Sequence, residues 1–109
     1  MQFARRESAA SAAAMIALLF AAPAQAQDAK ALHLRSLAAT CTHCHGTDGR
    51  AHKDSAVAGL AGLPRTHIAT QLRDFRDGKR SATIMHQLAK GYTDEQIDAI
   101  AAYFAAQTK

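Results

Sequence analysis

Cys41-Thr42-His43-Cys44-His45 is the stretch on which the reading of this chain turns. Its pattern, C-x-x-C-H, is the attachment signature of c-type haem. The spacing has a physical reason. On a helical turn, positions 41, 44 and 45 stand at i, i+3 and i+4 and share one face. Two thiols placed so can add across the two vinyl groups of one haem. The imidazole of His45 then lies under the iron as proximal ligand. Gly46 lets the chain turn away without a side chain pressing on the ring. Three other uses compete for the pair of cysteines. A thioredoxin-like dithiol needs a βαβ setting, and no strand-like alternation precedes Cys41. A zinc site calls for four ligands, commonly a second cysteine pair, and none is present. A plain disulfide between Cys41 and Cys44 is the third.

The rest of the chain suits a small cofactor protein. It has 109 residues, with 13 Lys+Arg, 9 Asp+Glu and 6 His, for a formal charge of +4. That length holds one hydrophobic core, which excludes an enzyme with a separate substrate domain. Two cysteines exclude a disulfide-dense scaffold. Residues 1–26 read as a secretory signal peptide. Arg5 and Arg6 precede an apolar run from Ala12 to Ala22, and Ala24-Gln25-Ala26 offers a small-x-small cleavage site. The run is too short to span a ~30 Å hydrocarbon core, so no membrane span is expected after cleavage. The predicted compartment is the bacterial periplasm. Removing Arg5, Arg6 and Glu7 with that segment leaves residues 27–109 with 11 basic and 8 acidic side chains. So short a chain normally needs a metal, a cofactor or a partner for stability.

The sixth position of the iron asks for a second ligand. Met85 is the sole methionine of residues 27–109. A thioether favours ferrous iron and raises the potential. A lone methionine is commonly core filler, but a haem needs something on its far side. His86 is the main rival, with His33, His52 and His67 weaker. His43 is confined inside the attachment turn.

Hydrophobic periodicity predicts helices and no strands. Asp28–Thr40 carries Ala31, Leu34, Leu37 and Ala38 along one face. Residues 46–62 lack a period and read as loop. Pro64 suits the first position of a second helix, with Ile68, Leu72 and Phe75 in register and Gly78 at its end. Residues 81–90 form a connection that brings Met85 to the iron, with room for a helical turn. Thr93 and Gln96 form a capping box for a last helix with Ile97, Ile100, Ala101 and Phe104 on one side. The prediction is an all-α domain of three to four helices around one haem. The first and last helices are expected to pack together.

This order of helix, attachment motif, loop, helix, methionine and capped helix resembles a class I cytochrome c. The likeness extends further. Leu60-Ala61-Gly62-Leu63-Pro64, Gln71 to Arg80, Thr83-Ile84-Met85 and Ala89 to Ile97 are similar to the cytochrome subunits of flavocytochrome c sulfide dehydrogenases. They are also similar to related short monohaem cytochromes. The resemblance implies a non-enzymatic electron carrier or electron-transfer subunit. Its one haem c would be held through Cys41 and Cys44, with His45 and Met85 on the iron. Redox proteins would be its partners, among them a flavoprotein sulfide dehydrogenase subunit. It also implies that Arg80 faces a haem propionate. The chain departs from the pattern at Ala58, where the family usually has a proline whose carbonyl holds the proximal imidazole, and at His67 and Ser81.

Arg73, Arg76, Lys79 and Arg80 read as a basic stretch cut by Asp74 and Asp77, which is no nucleic-acid footprint. With two propionates added, the holo domain comes to about +1, too little for long-range steering. A second reading from another functional class is a haem sensor in which Met85 leaves the iron and a gas or peroxide binds.

Overall fold

The computed structural model describes residues 22–109, with side chains from residue 27. The predicted signal segment lies outside the described residues except for its last five. Helix α1 spans Ala22–His45, α2 Arg65–Arg76, α3 Met85–Leu88 and α4 Asp94–Ala105. Short 3-10 turns occupy Thr47–Gly49 and Ala89–Gly91. No strand occurs among the described residues, and no helix there is long and apolar enough to cross a membrane. Leu34–Lys109 forms one compact unit. Residues 27–33, in the preceding unit, are exposed along α1.

Helix α1 is longer than its apolar stripe predicts. Alanine-rich sequence extends it at the front, and the attachment motif forms its last turn without a break. Helix α2 begins one residue after Pro64, whose ψ of 133° is extended, so the proline caps the helix instead of entering it. Gly78 closes that end in the left-handed region at φ 73°. The capping box of α4 forms as predicted: Gln96 N–H donates to Thr93 Oγ1 at 3.2 Å, and Thr93 N–H to Gln96 Oε1 at 3.0 Å.

The core is made mainly by two helices. Ile97, Ile100, Ala101 and Phe104 of α4 are all buried, against Ile68, Ala69 and Leu72 of α2. Phe104 and Ile97 are fully buried, and side chains of this size contribute about 1.5–3 kcal/mol each. The closest helix pair is therefore α2 with α4, in place of the expected pairing of first and last helices. Two features explain it. Helix α2 carries the wider apolar stripe, while α1, among its described side chains, buries only Ala38, with Leu37 and Cys41 against the core. Ion pairs also fasten α2 to α4. Arg73 bonds Asp98 at 2.8 Å and Asp94 at 3.2 Å, and Arg76 bonds Asp94 at 2.9 Å. Two of the four cations of the basic stretch read from sequence, Arg73 and Arg76, are thus paired with acids of α4. Such exposed pairs are individually worth at most about 1 kcal/mol.

The loop after α1 is tied to the end of the chain. Tyr103 Oη donates to Asp48 Oδ1 at 2.6 Å, and Arg50 bonds Asp48 Oδ2 and the Thr108 carbonyl. Gly49 is buried at φ 79°, and a Cβ there would sit 2.7 Å from the Phe104 ring. The Gly49 carbonyl in turn accepts from Leu60 N–H and Ala61 N–H.

Two outcomes follow for the haem-loaded protein. Phe104→Ala should cost about 3–5 kcal/mol of unfolding free energy, and Thr93→Ala only about 1 kcal/mol, as measured by urea denaturation. The second outcome concerns pH. The Tyr103 hydroxyl first, and Arg50 second, hold Asp48 below the usual carboxylate range. A lowered carboxylate contributes stability that is present above its unfolded value of about 4 and is lost as pH falls through the folded value. Tyr103→Phe should therefore be less stable than the wild type at pH 6, with the gap narrowing as the pH is lowered to 3. A gap that widens on acidification would contradict this coupling.

Candidate functional site

Cys41, Cys44 and His45 occupy the last turn of α1, so the helix itself places them on one face. The helix stops there because Gly46 takes φ 85°. Its need for glycine differs from the one read in the sequence: a Cβ at this position would collide with the backbone carbonyl of Arg50. The constraint is the loop folding back over Gly46.

That same loop orients the imidazole. His45 Nδ1 lies 2.6 Å from the carbonyl oxygen of Ala58. A carbonyl only accepts, so Nδ1 carries the proton and Nε2 keeps its lone pair. This hydrogen bond survives without the proline that the resemblance led us to expect at position 58, because any residue supplies the carbonyl. A partner of this kind fixes the ring and raises its basicity as a ligand.

Both cysteines are free thiols, Cys41 half-buried and Cys44 exposed. Burial pushes the Cys41 thiol up, with the Thr40 hydroxyl acting weakly in the other direction. A reactive dithiol needs the opposite, a depressed thiol in electropositive surroundings. Among the described residues, no three His, Cys, Asp or Glu side chains are grouped to hold a metal ion.

Met85 opens α3 and is half-buried, packed against the same core cluster that Cys41 touches. Helix α3 rests on α2. His86 is also half-buried, and its Nδ1 is enclosed without a hydrogen-bond partner. Arg80 is exposed; its guanidinium lies 5.2 Å from the Phe75 ring centroid and bonds Gln71 Oε1. Phe75 belongs to the rim of the core. A cleft of about 290 Å³, lined by Gly49, Arg50, Ala61 and Lys109 among others, includes none of the five predicted site residues.

These residues fit a covalently held haem. Two unbridged thiols and an imidazole with a free Nε2 lone pair share one helical turn, and a thioether stands against the same core. Sequence reasoning missed one contact at this turn and another in the loop beyond it. Thr40 Oγ1 lies 2.6 Å from Tyr92 Oη, and Tyr103 anchors Asp48. Partners more than 50 positions apart leave no local signal in the sequence.

Comparison with known proteins gives the same picture. Residues 35–107 match the family described as Cytochrome c. The chain is 42% identical over 73 residues to the cytochrome subunit of sulfide dehydrogenase from Chlorobaculum tepidum, covering 67% of this chain and 64% of that one. It is 40% identical over 68 residues to a thiosulfate dehydrogenase electron acceptor from Thiomonas intermedia, covering 62% of this chain and 31% of that one. The match thus spans less than two thirds of these relatives' own lengths, 64% of the first and 31% of the second. A solved cytochrome c4 from Acidithiobacillus ferrooxidans superposes with a TM-score of 0.57 at 38% identity, over 61% of this chain and 37% of its own. These relatives are electron-transfer cytochromes, and the helical fold is shared with them. The chain belongs to the cytochrome c family, whose domain implies covalently attached haem c.

Proposed function

We propose that this chain is a periplasmic electron-transfer protein that carries one haem c, attached through Cys41 and Cys44. His45 and Met85 would be its two axial ligands. The observation that carries the reading is the last turn of α1, where His45 is fixed by Ala58 in the tautomer that leaves Nε2 free, beside two unbridged thiols. The haem supplies one-electron chemistry, its iron alternating between the ferrous and ferric states.

The chain's own groups do the rest. The His45–Ala58 hydrogen bond holds the proximal ring against rotation, so little rearrangement accompanies a change of charge. A Met85 thioether on the iron would favour the ferrous state and leave no vacant position for a substrate. Arg80 is the counter-charge for a propionate; the Phe75 ring and Gln71 pre-position it, and among the described residues it forms no ion pair.

The partner we infer is a redox enzyme that oxidises reduced sulfur compounds, with this chain acting either as its cytochrome subunit or as a free carrier. Support comes from the relatives, which are named for sulfide and thiosulfate dehydrogenases. Export through residues 1–26 fits the reading, because c-type haem is attached outside the cytoplasm.

The deciding experiment is expression with a haem-attachment system, followed by extraction of the denatured protein with acidified organic solvent. One haem should stay on the wild-type polypeptide, and Cys41→Ala/Cys44→Ala should lose all of it; haem retained by the double variant would overturn the assignment. Met85→Ala should abolish the sulfur-to-iron charge-transfer band of the ferric protein and let the ferrous protein bind carbon monoxide freely at neutral pH. Ready carbon monoxide binding by the wild type would favour a sensor instead.

A further inference from the structure

We infer that the hydrogen bond between Tyr92 and Thr40 is a clasp that positions Met85 and sets how readily the thioether leaves the iron; the inference rests on the ligation proposed above. The hydroxyls lie 2.6 Å apart across 52 positions of sequence. Thr40 Oγ1 also reaches the Leu37 carbonyl at 3.3 Å, a bond in which it can only donate. Thr40 therefore accepts from the phenol, and both groups are used in a consistent sense.

The clasp joins the two halves of the site. Thr40 precedes Cys41 in the last turns of α1, so it is fixed relative to both thiols and to His45. Tyr92 ends the run that presents Met85. That run is nearly continuous helix: α3 passes directly into the 3-10 turn Ala89–Gly91, and Tyr92 N–H donates to the Ala89 carbonyl. Seven residues at helical rise make a lever of about 10 Å between Met85 and Tyr92.

The lever is otherwise weakly held. Helix α3 has no buried residue and no side-chain cap, and in the following turn only Ala89 is buried. Helix α2 supports it from one side. Among the described residues, the Tyr92–Thr40 bond is the only hydrogen bond from α1 to residues 81–92. Beyond Tyr92, the Thr93 capping box fixes the chain to α4. Losing the phenol hydroxyl leaves the Tyr92 ring on the core and the fold intact, but removes the one hydrogen bond, among the described residues, between the Met85 run and the turn that holds the haem.

The test uses the haem-loaded ferrous protein and the rate of carbon monoxide binding, which is gated by departure of the thioether. The variants are Tyr92→Phe, Thr40→Val, both together, and Thr40→Ser. A neutral hydrogen bond corresponds to a change of about 3- to 10-fold. Tyr92→Phe and Thr40→Val should each raise the rate by about that factor. The double variant should match the singles, since one bond is lost in all three, and Thr40→Ser should restore the wild-type rate. Tyr103→Phe is the control: it removes a hydrogen bond of the same length elsewhere and should leave the rate unchanged. Single variants at the wild-type rate, an additive double, or an equal rise in Tyr103→Phe would each overturn the clasp while leaving Met85 as ligand. A wild-type ferric protein without the sulfur-to-iron band would overturn the ligation and the clasp with it.

Discussion

The contact of the Phe104 ring with the backbone at Gly49 governs the arrangement of the site. The ring is fully buried at the meeting of α4 and the loop that follows the attachment turn, and it approaches so closely that no side chain fits at position 49. The Gly49 carbonyl then gathers Leu60 N–H and Ala61 N–H, folding the loop back on itself. The same folded loop carries Ala58, whose carbonyl holds the His45 ring. Gly62 N–H closes the circuit by donating to the Phe104 carbonyl. A hydrophobic contact deep in the core thus decides which nitrogen of a half-buried imidazole carries the proton.

Much of this was readable in advance, and the readable parts share a cause. The attachment motif, the capping box at Thr93 and the stripe Ile97, Ile100, Ala101 and Phe104 are all patterns within one or two helical turns. Their geometry follows from the helix alone. What escaped depends on residues far apart in sequence. The apolar stripe of α1 gave no sign that α4 would choose α2; the wider stripe of α2 decides it together with Arg73 and Arg76, which meet Asp94 and Asp98 some 20 positions away. Gly46 was legible as a turn, but not as the place where the Arg50 carbonyl passes overhead. Tyr92 carries no local sign of its partner, which is known only once α1 and the Met85 run are in place.

Charge has a more structural part here than the composition suggests. Of the basic side chains in the described residues, Arg50, Arg73 and Arg76 are committed to acids of the same chain. Lys79, Arg80 and Lys90, on the stretch around Met85, form no ion pair among the described residues. A +4 chain therefore does not present a uniformly basic surface. Its committed cations hold the helices together, and those near Met85 have no acidic partner among the described residues.

We propose that one iron is held between His45 on α1 and Met85 on α3. Proton NMR of the reduced haem-loaded protein, with methionine methyl groups isotope-labelled, tests it most directly. With residues 1–26 removed, Met85 is the sole methionine. One labelled methyl resonance is expected far upfield of all other methyl signals, as a thioether directly over the haem ring requires. A labelled methyl at an ordinary shift, with an imidazole ring of His86 upfield instead, would contradict it.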